Sequence, residues 1–245
     1  MNTELPPPDT RVTLALDPAS VDHLVKTGDY RASDPDSMRN SLGGLRQTFA
    51  FTSTTLGKMH DAKAALVADP TRTPAAVAVE IGRLADREGL KLAAKWDASI
   101  NTLRKNVASM ERELAAPVVQ QGSALIAAEI RRHLAELPAA KRQSLLEAAI
   151  AEGDAVTVSA ALAGPAYLSG LSPEMHKLLT EAWHLKAFPD LAERLDLHKR
   201  ALALAIDRSA LIHRELRKIT GDPNVIANAA LKSARANKAL EALAS

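Results

Sequence analysis

Five prolines in this sequence each follow a residue that can cap the N-terminus of an α-helix. The pairs are Asp17-Pro18, Asp34-Pro35, Thr73-Pro74, Ser172-Pro173 and Asp222-Pro223. The side-chain oxygen of the first residue can accept a hydrogen bond from a free backbone N–H of the first turn. Proline at the next position has no N–H to lose, and its φ already suits a helix. Because helix-period sequence follows each pair, the pattern predicts an all-α fold.

The composition agrees with helices and excludes several classes of protein. Hydrophobic residues make up 47% of the chain and aromatic residues only 3%. The chain carries 31 basic and 29 acidic residues without a block of like charge, so it lacks a strong electrostatic footprint for nucleic acid. There is no cysteine, which excludes disulfides and thiolate metal sites and fits a reducing compartment. We expect a soluble protein, because no apolar run approaches ~20 residues and the first residues lack a secretory signal pattern.

Two long segments carry the heptad spacing of helices packed side by side. The first runs from Pro35 to Ala68, with a break or late start expected at Gly43-Gly44. Its apolar positions are Met38, Leu42, Leu45, Phe49, Leu56, Met59 and Leu66, with Thr52 and Lys63 in the two remaining places. The second runs from Pro74 toward Pro117, with Leu92, Trp96, Ile100, Leu103, Val107, Met110 and Leu114 in register. The short turn between the segments predicts a long antiparallel helical hairpin.

The stretch from Gly153 to Trp183 concentrates glycine and proline, and we interpret it as a joint between helices. Asp154 is placed to cap a short helix that ends at Gly164-Pro165, and Ser172-Pro173 begins the next. The buried face of that next helix is expected to hold Met175, Leu178, Leu179, Ala182 and Leu185. Tyr167 and Leu168 are expected to fill the gap between the helix ends.

The last two helices are expected to complete a C-terminal bundle. The apolar run 201–206 predicts a helix that is buried on every side. The final helix begins at Pro223 and places Val225, Ile226, Ala229, Leu240 and Leu243 on one face. Its other face carries Lys232, Arg235 and Lys238.

The N-terminal segment differs from the rest of the chain. Pro6-Pro7-Pro8 favours an extended conformation. Val12, Leu14 and Leu16 follow it, and with the prolines they predict an arm, with one strand, that lies on a neighbouring chain. A tail without fixed contacts fits the same residues equally well. The chain therefore divides into an arm with a short helix (1–33), the long hairpin (34–137) and the C-terminal bundle (138–245).

Candidate chemical sites are few. Glu181 and His184 have the Glu-x-x-His spacing of di-iron bundles, but such sites need a second copy of the motif, and no other occurs. His198 and His213 are interpreted as hydrogen-bonded core or boundary residues. Neither a Gly-x-Ser-x-Gly elbow nor a glycine-rich phosphate loop is present. We therefore expect no catalytic residue, metal, cofactor or small-molecule substrate.

The segment Ala-Gly-Pro-Ala-Tyr-Leu-Ser-Gly-Leu-Ser-Pro, which ends at Pro173, resembles a stretch in uncharacterised α-helical proteins of tailed bacteriophages and prophages. Such proteins tend to be encoded among virion structural proteins. The resemblance implies a virion component such as a head–tail adaptor, neck or head-associated protein. It implies assembly in the host cytoplasm, with copies of the chain itself and other virion proteins, such as portal or tail components, as partners.

The leading hypothesis is thus an oligomeric structural protein without a membrane partner. The residues expected at its interface are Val12, Leu14, Leu16, Leu92, Trp96, Ile100, Leu103 and Val107. The alternative is a helical nucleic-acid-associated or regulatory protein that contacts DNA weakly through Lys232, Arg235 and Lys238. A third hypothesis is an enzyme with a helical active site near His184, and a stoichiometric metal in the purified protein would favour it.

Overall fold

The computed structural model describes residues 9–244, except for the side chains of Leu240, Leu243 and Ala244. Within that range the chain forms ten α-helices, two 3₁₀ turns (Leu14–Leu16 and Ala166–Ser169) and no strand, which confirms the all-α class. The helices are α1 (Ala19–Thr27), α2 (Pro35–Ser41), α3 (Gly43–Ala68), α4 (Pro74–Leu114), α5 (Ala124–Glu136), α6 (Ala139–Glu152), α7 (Ala155–Leu162), α8 (Pro173–Ala187), α9 (Pro189–Thr220) and α10 (Pro223–Ala244). The triple proline at 6–8 and the predicted apolar positions Leu240 and Leu243 lie outside the described residues and side chains.

All five proline pairs stand at helix starts, as predicted. Helices α2, α4, α8 and α10 begin at the proline itself, and α1 begins one residue after Pro18. The cap is visible at α8, where Ser172 Oγ accepts a hydrogen bond from the Met175 amide at 3.2 Å. Thr73 Oγ1 does the same for the Ala76 amide, also at 3.2 Å. These bonds satisfy amides that the helix itself leaves without an acceptor.

The first long segment is two helices rather than one. Leu42, with φ −98° and ψ 8°, separates α2 from α3. The break falls next to Gly43-Gly44, where the sequence indicated a weak point, because glycine costs the helix about 1 kcal/mol relative to alanine.

The chain divides into two compact units, and neither is a continuous segment. One unit consists of the chain up to Asp29, Pro35–Arg104 and the chain from Lys199 onward; the other consists of Tyr30–Asp34 and Lys105–His198. This division differs from the three consecutive segments predicted from the sequence. Two of its boundaries fall within α4 and α9, where an unbroken helical pattern gives no compositional sign of a boundary.

Most of the predicted stripe on α3 is buried in the first unit, and Leu66 near its end is half-buried. Phe49 and Leu56 are fully covered, and Thr52 occupies the polar place in the heptad at 0% exposure. The ring of Phe49 lies 4.9 Å from that of Trp96 on α4, centroid to centroid. These contacts join α3 to α4, while the antiparallel hairpin as a complete arrangement stays a prediction.

The N-terminal segment is structured differently from the predicted arm. Leu14–Leu16 form a 3₁₀ turn rather than part of a strand, and Val12 and Leu16 are 4% and 0% exposed. Arg11 Nη1 lies 2.7 Å from Asp61 Oδ1 on α3. Val12 and Leu16 therefore pack within the chain's own unit, because burial there removes them from water without a second chain, whereas Leu14 is exposed.

The centre of α9 is not buried on every side. Ala201 and Ala205 are buried, but Ile206 is 46% exposed and Ala203 is also exposed. A helix of alternating alanine and leucine is weakly hydrophobic on every face, and only the face that contacts other helices is buried.

Helix α10 contacts α4 through Ile226. This side chain packs so closely on Gly82 that a Cβ at Gly82 would lie 2.6 Å from Ile226 Cγ2.

The second unit has its own core. Helices α5, α6, α7 and α8 pack together with the second 3₁₀ turn. The buried residues of this core include Leu134, Leu146, Val158, Leu162, Leu179 and Trp183. A smaller apolar cluster in the same unit joins Met110 and Leu114 of α4 to Leu191 and Leu195 of α9.

Candidate interaction surface

Six of the eight side chains that the sequence analysis assigned to an interface lie in the interior. They are Val12, Leu16, Leu92, Trp96, Ile100 and Leu103, with exposures from 0% to 7%. A side chain that is already covered has almost no area left to bury against a partner. These six therefore pack within one chain. An interface role stays a prediction for Leu14, which is 65% exposed, and for the half-buried Val107.

The joint between α6 and α8 is built from the turn residues that the sequence singled out. Gly153 adopts the left-handed conformation, with φ 76°, and ends α6. Asp154 Oδ1 then accepts hydrogen bonds from the amides of Val156 and Thr157, both at 3.1 Å, which caps α7. The hydrogen bond from the Thr157 side chain, which is the largest contribution, and those from the Thr157 and Val156 amides hold the pKa of Asp154 below its usual range. The joint prediction is therefore confirmed as local structure.

Arg142 fastens the second half of this joint. Its Nε donates to the carbonyl of Leu134 and its Nη2 to that of Leu137, both at 2.7 Å, and its Nη1 donates to the carbonyl of Gly170. One side chain from α6 thus binds both the end of α5 and the turn before α8. Gly170, with φ 67°, is left-handed, and a Cβ there would stand 2.8 Å from Arg142 Cζ. The segment before α8 is therefore fixed by side-chain contacts as well as by its own turns.

The buried face of α8 differs from the predicted one. Leu179 is buried as expected, but Leu178 and Leu185 are 60% and 52% exposed. Thr180, Trp183 and His184 are buried instead. The helix is rotated so that Trp183, its largest side chain, faces the core and buries more apolar area than a leucine would. Tyr167 and Leu168, expected to fill a gap, are 75% and 44% exposed.

This rotation leaves an apolar groove between α6 and α8. It has a volume of about 360 Å³ and is lined by Gln143, Glu147, Ile150, Ala151, Met175, Leu178, Leu179 and Ala182. Leu178 and Leu185, seven residues apart on α8, lie on one face of that helix. Exposed apolar side chains that cluster along a groove are typical of protein–protein contact surfaces. We refer to this groove together with Leu185 as the α6–α8 surface.

The histidines occupy ordinary structural positions. His184 is buried, its Nε2 lies 2.8 Å from the Ala116 carbonyl, and its ring stacks on Phe188 with centroids 5.7 Å apart. Glu181, the other member of the Glu-x-x-His spacing, lies 3.9 Å from Lys177 instead. His198 is 2% exposed, with Nδ1 placed 2.8 Å from the Arg194 carbonyl. Among the described residues no group of three or more histidines, cysteines or carboxylates is arranged to hold a metal ion.

The basic residues of α10 are fully on the surface. Lys232, Arg235 and Lys238 are all exposed, and no hydrogen bond or ion pair to another described residue engages them. Between Asp222 and Glu241 the sequence holds no acidic residue. The three cations therefore lie on one helix with no acidic residue among them.

Two buried polar groups of the first unit escaped the sequence analysis. Glu215 on α9 is fully buried; its Oε1 accepts from Lys218 Nζ at 2.6 Å, while Oε2 has no partner in the described part of the chain. His60 Nε2 on α3 is likewise buried and unpartnered. Burial, and next the charge of Arg11, hold the pKa of His60 below its ordinary value. Glu215 and His60 both lie within regular helical sequence, and nothing in that pattern distinguishes them from polar residues on an exposed helix face.

No family model, curated protein or solved structure matches this chain. No helix in residues 9–244 is both long and apolar enough to pass through a bilayer.

Proposed function

We propose that this chain is a structural protein that assembles with copies of itself, as a component of a bacteriophage particle such as a head–tail adaptor, neck or head-associated protein. The observation that carries the proposal is the α6–α8 surface, where leucines lie open beside a groove. The proposal places the contact between copies on the second unit, because the heptad stripes are already buried within one chain. The phage context rests on the sequence resemblance around Tyr167.

Two features support assembly through this surface. First, Leu178 and Leu185 each offer more than half of their area to a partner, and burial of apolar area contributes roughly 25 cal/mol per Å². Second, the capped joint and Arg142 fix the two helices that form the groove. A surface fixed in advance loses less conformational entropy when a partner binds.

The test is the mass of the purified protein by size-exclusion chromatography with light scattering. We expect wild-type chain to form a defined oligomer and the double substitution Leu178→Glu with Leu185→Glu to give a monomer. Leu90→Glu, at a leucine that is 75% exposed on α4, is the matched control and should leave the oligomer intact. A wild-type monomer at every concentration, or equal loss of the oligomer in both variants, would contradict the proposal.

A second candidate function is weak contact with nucleic acid through α10, and the exposed, unpaired cations Lys232, Arg235 and Lys238 favour it. Three phosphate contacts predict that the logarithm of the DNA affinity falls with the logarithm of the salt concentration with a slope of about −2.7. Lys232→Glu with Lys238→Glu should abolish a DNA mobility shift. Lys58→Glu with Lys141→Glu makes the same charge change at other exposed positions and should retain most of it. Equal losses would show a nonspecific charge effect only and would contradict a role for α10.

A further inference from the structure

A cavity of about 280 Å³ opens in the first unit at the turn between α3 and α4, beside the end of α9. Its lining residues are Lys63, Val67, Arg72, Pro74, Val77, Ala78, Ile81 and Thr220. Most of these side chains are aliphatic, and Ile81 at the floor is 2% exposed. The cavity therefore offers an apolar interior whose polar groups come from three of its lining residues.

Two of those polar residues are cations with donors to spare. Lys63 Nζ donates to the carbonyl of Ile219 at 2.5 Å, which offsets the negative end of α9. Arg72 Nε donates to Asp69 Oδ2 at 3.0 Å. An ammonium has three N–H donors and a guanidinium five, so each cation keeps at least two that no described residue accepts. The first turn of α4, with Pro74 and Val77 in the lining, adds the positive end of a 41-residue helix.

We propose that this cavity binds a small organic anion, namely a carboxylate with a short apolar chain. The hydrocarbon part would lie against Val77, Ala78 and Ile81, and the carboxylate would accept hydrogen bonds from Arg72 and Lys63. Charge-assisted hydrogen bonds of this kind are shorter and stronger than neutral ones.

The size and lining of the cavity restrict the ligand further. Ligand pockets usually measure about 300–1,000 Å³, so this cavity is suited to a small molecule rather than a nucleotide or a drug-sized compound. Inorganic phosphate would leave the apolar floor unused. A neutral alcohol of the same length would fill the floor but leave the spare donors of both cations without an acceptor.

The experiment titrates the full chain with hexanoate, hexan-1-ol and inorganic phosphate, followed by methyl NMR spectra. We expect hexanoate at up to ~10 mM to shift the methyl signals of Val67, Val77 and Ile81. Hexan-1-ol should bind about fivefold more weakly, since the contact with partly exposed cations is lost, and phosphate should leave these methyl signals unchanged. Equal affinity for hexanoate and hexan-1-ol, or no shift with hexanoate, would overturn the proposal.

Two substitutions locate the site, each with a control. Ala78→Leu fills the cavity and should abolish binding, whereas Ala75→Leu, at an exposed alanine outside the lining, should not. Arg72→Gln should lower the affinity for hexanoate about fivefold without changing the affinity for hexan-1-ol. Arg83→Gln, at an exposed arginine of α4, should change neither affinity. Because Arg72 is on the surface, its variant tests the proposal even if Ala78→Leu disturbs the fold. Unchanged hexanoate affinity in Arg72→Gln would overturn it.

Discussion

The indole Nε1–H of Trp96 on α4 donates a hydrogen bond to Thr52 Oγ1 on α3, at 2.8 Å. Both residues are buried, at 1% and 0% exposure. The Thr52 hydroxyl in turn donates to the Thr48 carbonyl, also at 2.8 Å. A polar residue thus interrupts the apolar heptad of α3 at the point where the facing indole needs an acceptor, since a buried indole N–H without a partner is costly.

We predict that Thr52→Val lowers the free energy of unfolding by about 1–3 kcal/mol. Valine keeps the shape of threonine but leaves the indole N–H of Trp96 buried without an acceptor. Urea denaturation followed by tryptophan fluorescence measures the loss. Thr54→Val, at an exposed position of the same helix, should change stability by less than about 0.5 kcal/mol. If the two variants were equally stable, the buried hydrogen bond would have no net energetic role.

The two left-handed glycines of the joint should respond differently to alanine. At Gly153 a Cβ would meet nothing within 4 Å, so Gly153→Ala should cost only the backbone strain of about 1–2 kcal/mol. At Gly170 the Cβ would also collide with the Arg142 guanidinium, and displacing it would break its hydrogen bonds to the carbonyls of Leu134, Leu137 and Gly170. We therefore expect Gly170→Ala to cost about 1–3 kcal/mol more than Gly153→Ala in chemical denaturation. Equal costs would show that Arg142 adjusts freely.

His198 should make the protein less stable in mild acid. Burial holds the pKa of its imidazole below the ordinary value of 6.5; the charge of Arg194 acts in the same direction, and the hydrogen bond to the Arg194 carbonyl acts against it. The unfolded chain therefore takes up a proton before the folded chain does, and the stabilisation present above pH 6.5 is lost as the pH falls toward the folded pKa.

The test compares unfolding free energies at about pH 7.5 and pH 5.5. His198→Gln should reduce the dependence on pH in this window, whereas His213→Gln, at an exposed histidine of the same helix, should reduce it less. The same slope in His198→Gln as in wild type would contradict the prediction.

Glu193 should contribute to stability at neutral pH and lose that contribution in acid. Partial burial raises the pKa of its carboxyl, but hydrogen bonds from the backbone of Ala32 at 2.8 Å and from Ser33 and Arg31 outweigh this and hold it below the ordinary value of 4.5. The stabilisation is therefore present above pH 4.5 and disappears as the pH falls through the folded pKa.

We expect Glu193→Gln to destabilise the protein by about 1–2 kcal/mol at pH 7, because hydrogen bonds to a charged acceptor are stronger than those to an amide oxygen. The difference from wild type should shrink toward pH 3 in denaturant titrations. Glu181→Gln, at a carboxylate that is 3.9 Å from Lys177, should produce little change. A difference that stayed constant with pH would exclude a role for the charge.

Local structure followed from the sequence wherever a short stretch of chain decides it. The proline pairs, the left-handed Gly153 and the cap at Asp154 act within one or two turns, so residues next to each other in the chain suffice to predict them. The α3 stripe was also predictable, since its heptad spacing leaves only one face for burial. For the α6–α8 surface, the sequence identified the helices but assigned Leu178 and Leu185 to the buried face of α8, which was wrong.

Tertiary structure decided which apolar face each helix buries and which polar and charged groups lie close together. On α8 the sequence offers two nearly equivalent faces, and packing of Trp183 into the core left Leu178 and Leu185 outside. Near the N-terminus, Val12 and Leu16 are buried within their own chain, so their burial does not require a neighbouring chain. Ile219 is far in the chain from Lys63 and Arg72, and only the packing of α9 beside the α3–α4 turn brings it close to them. Hydrogen bonding within a helix is decided by residues a few positions apart, so the sequence predicts where helices form. The rotation of a helix and the helices it contacts depend instead on the apolar area buried over the whole unit, which no single stretch of sequence determines.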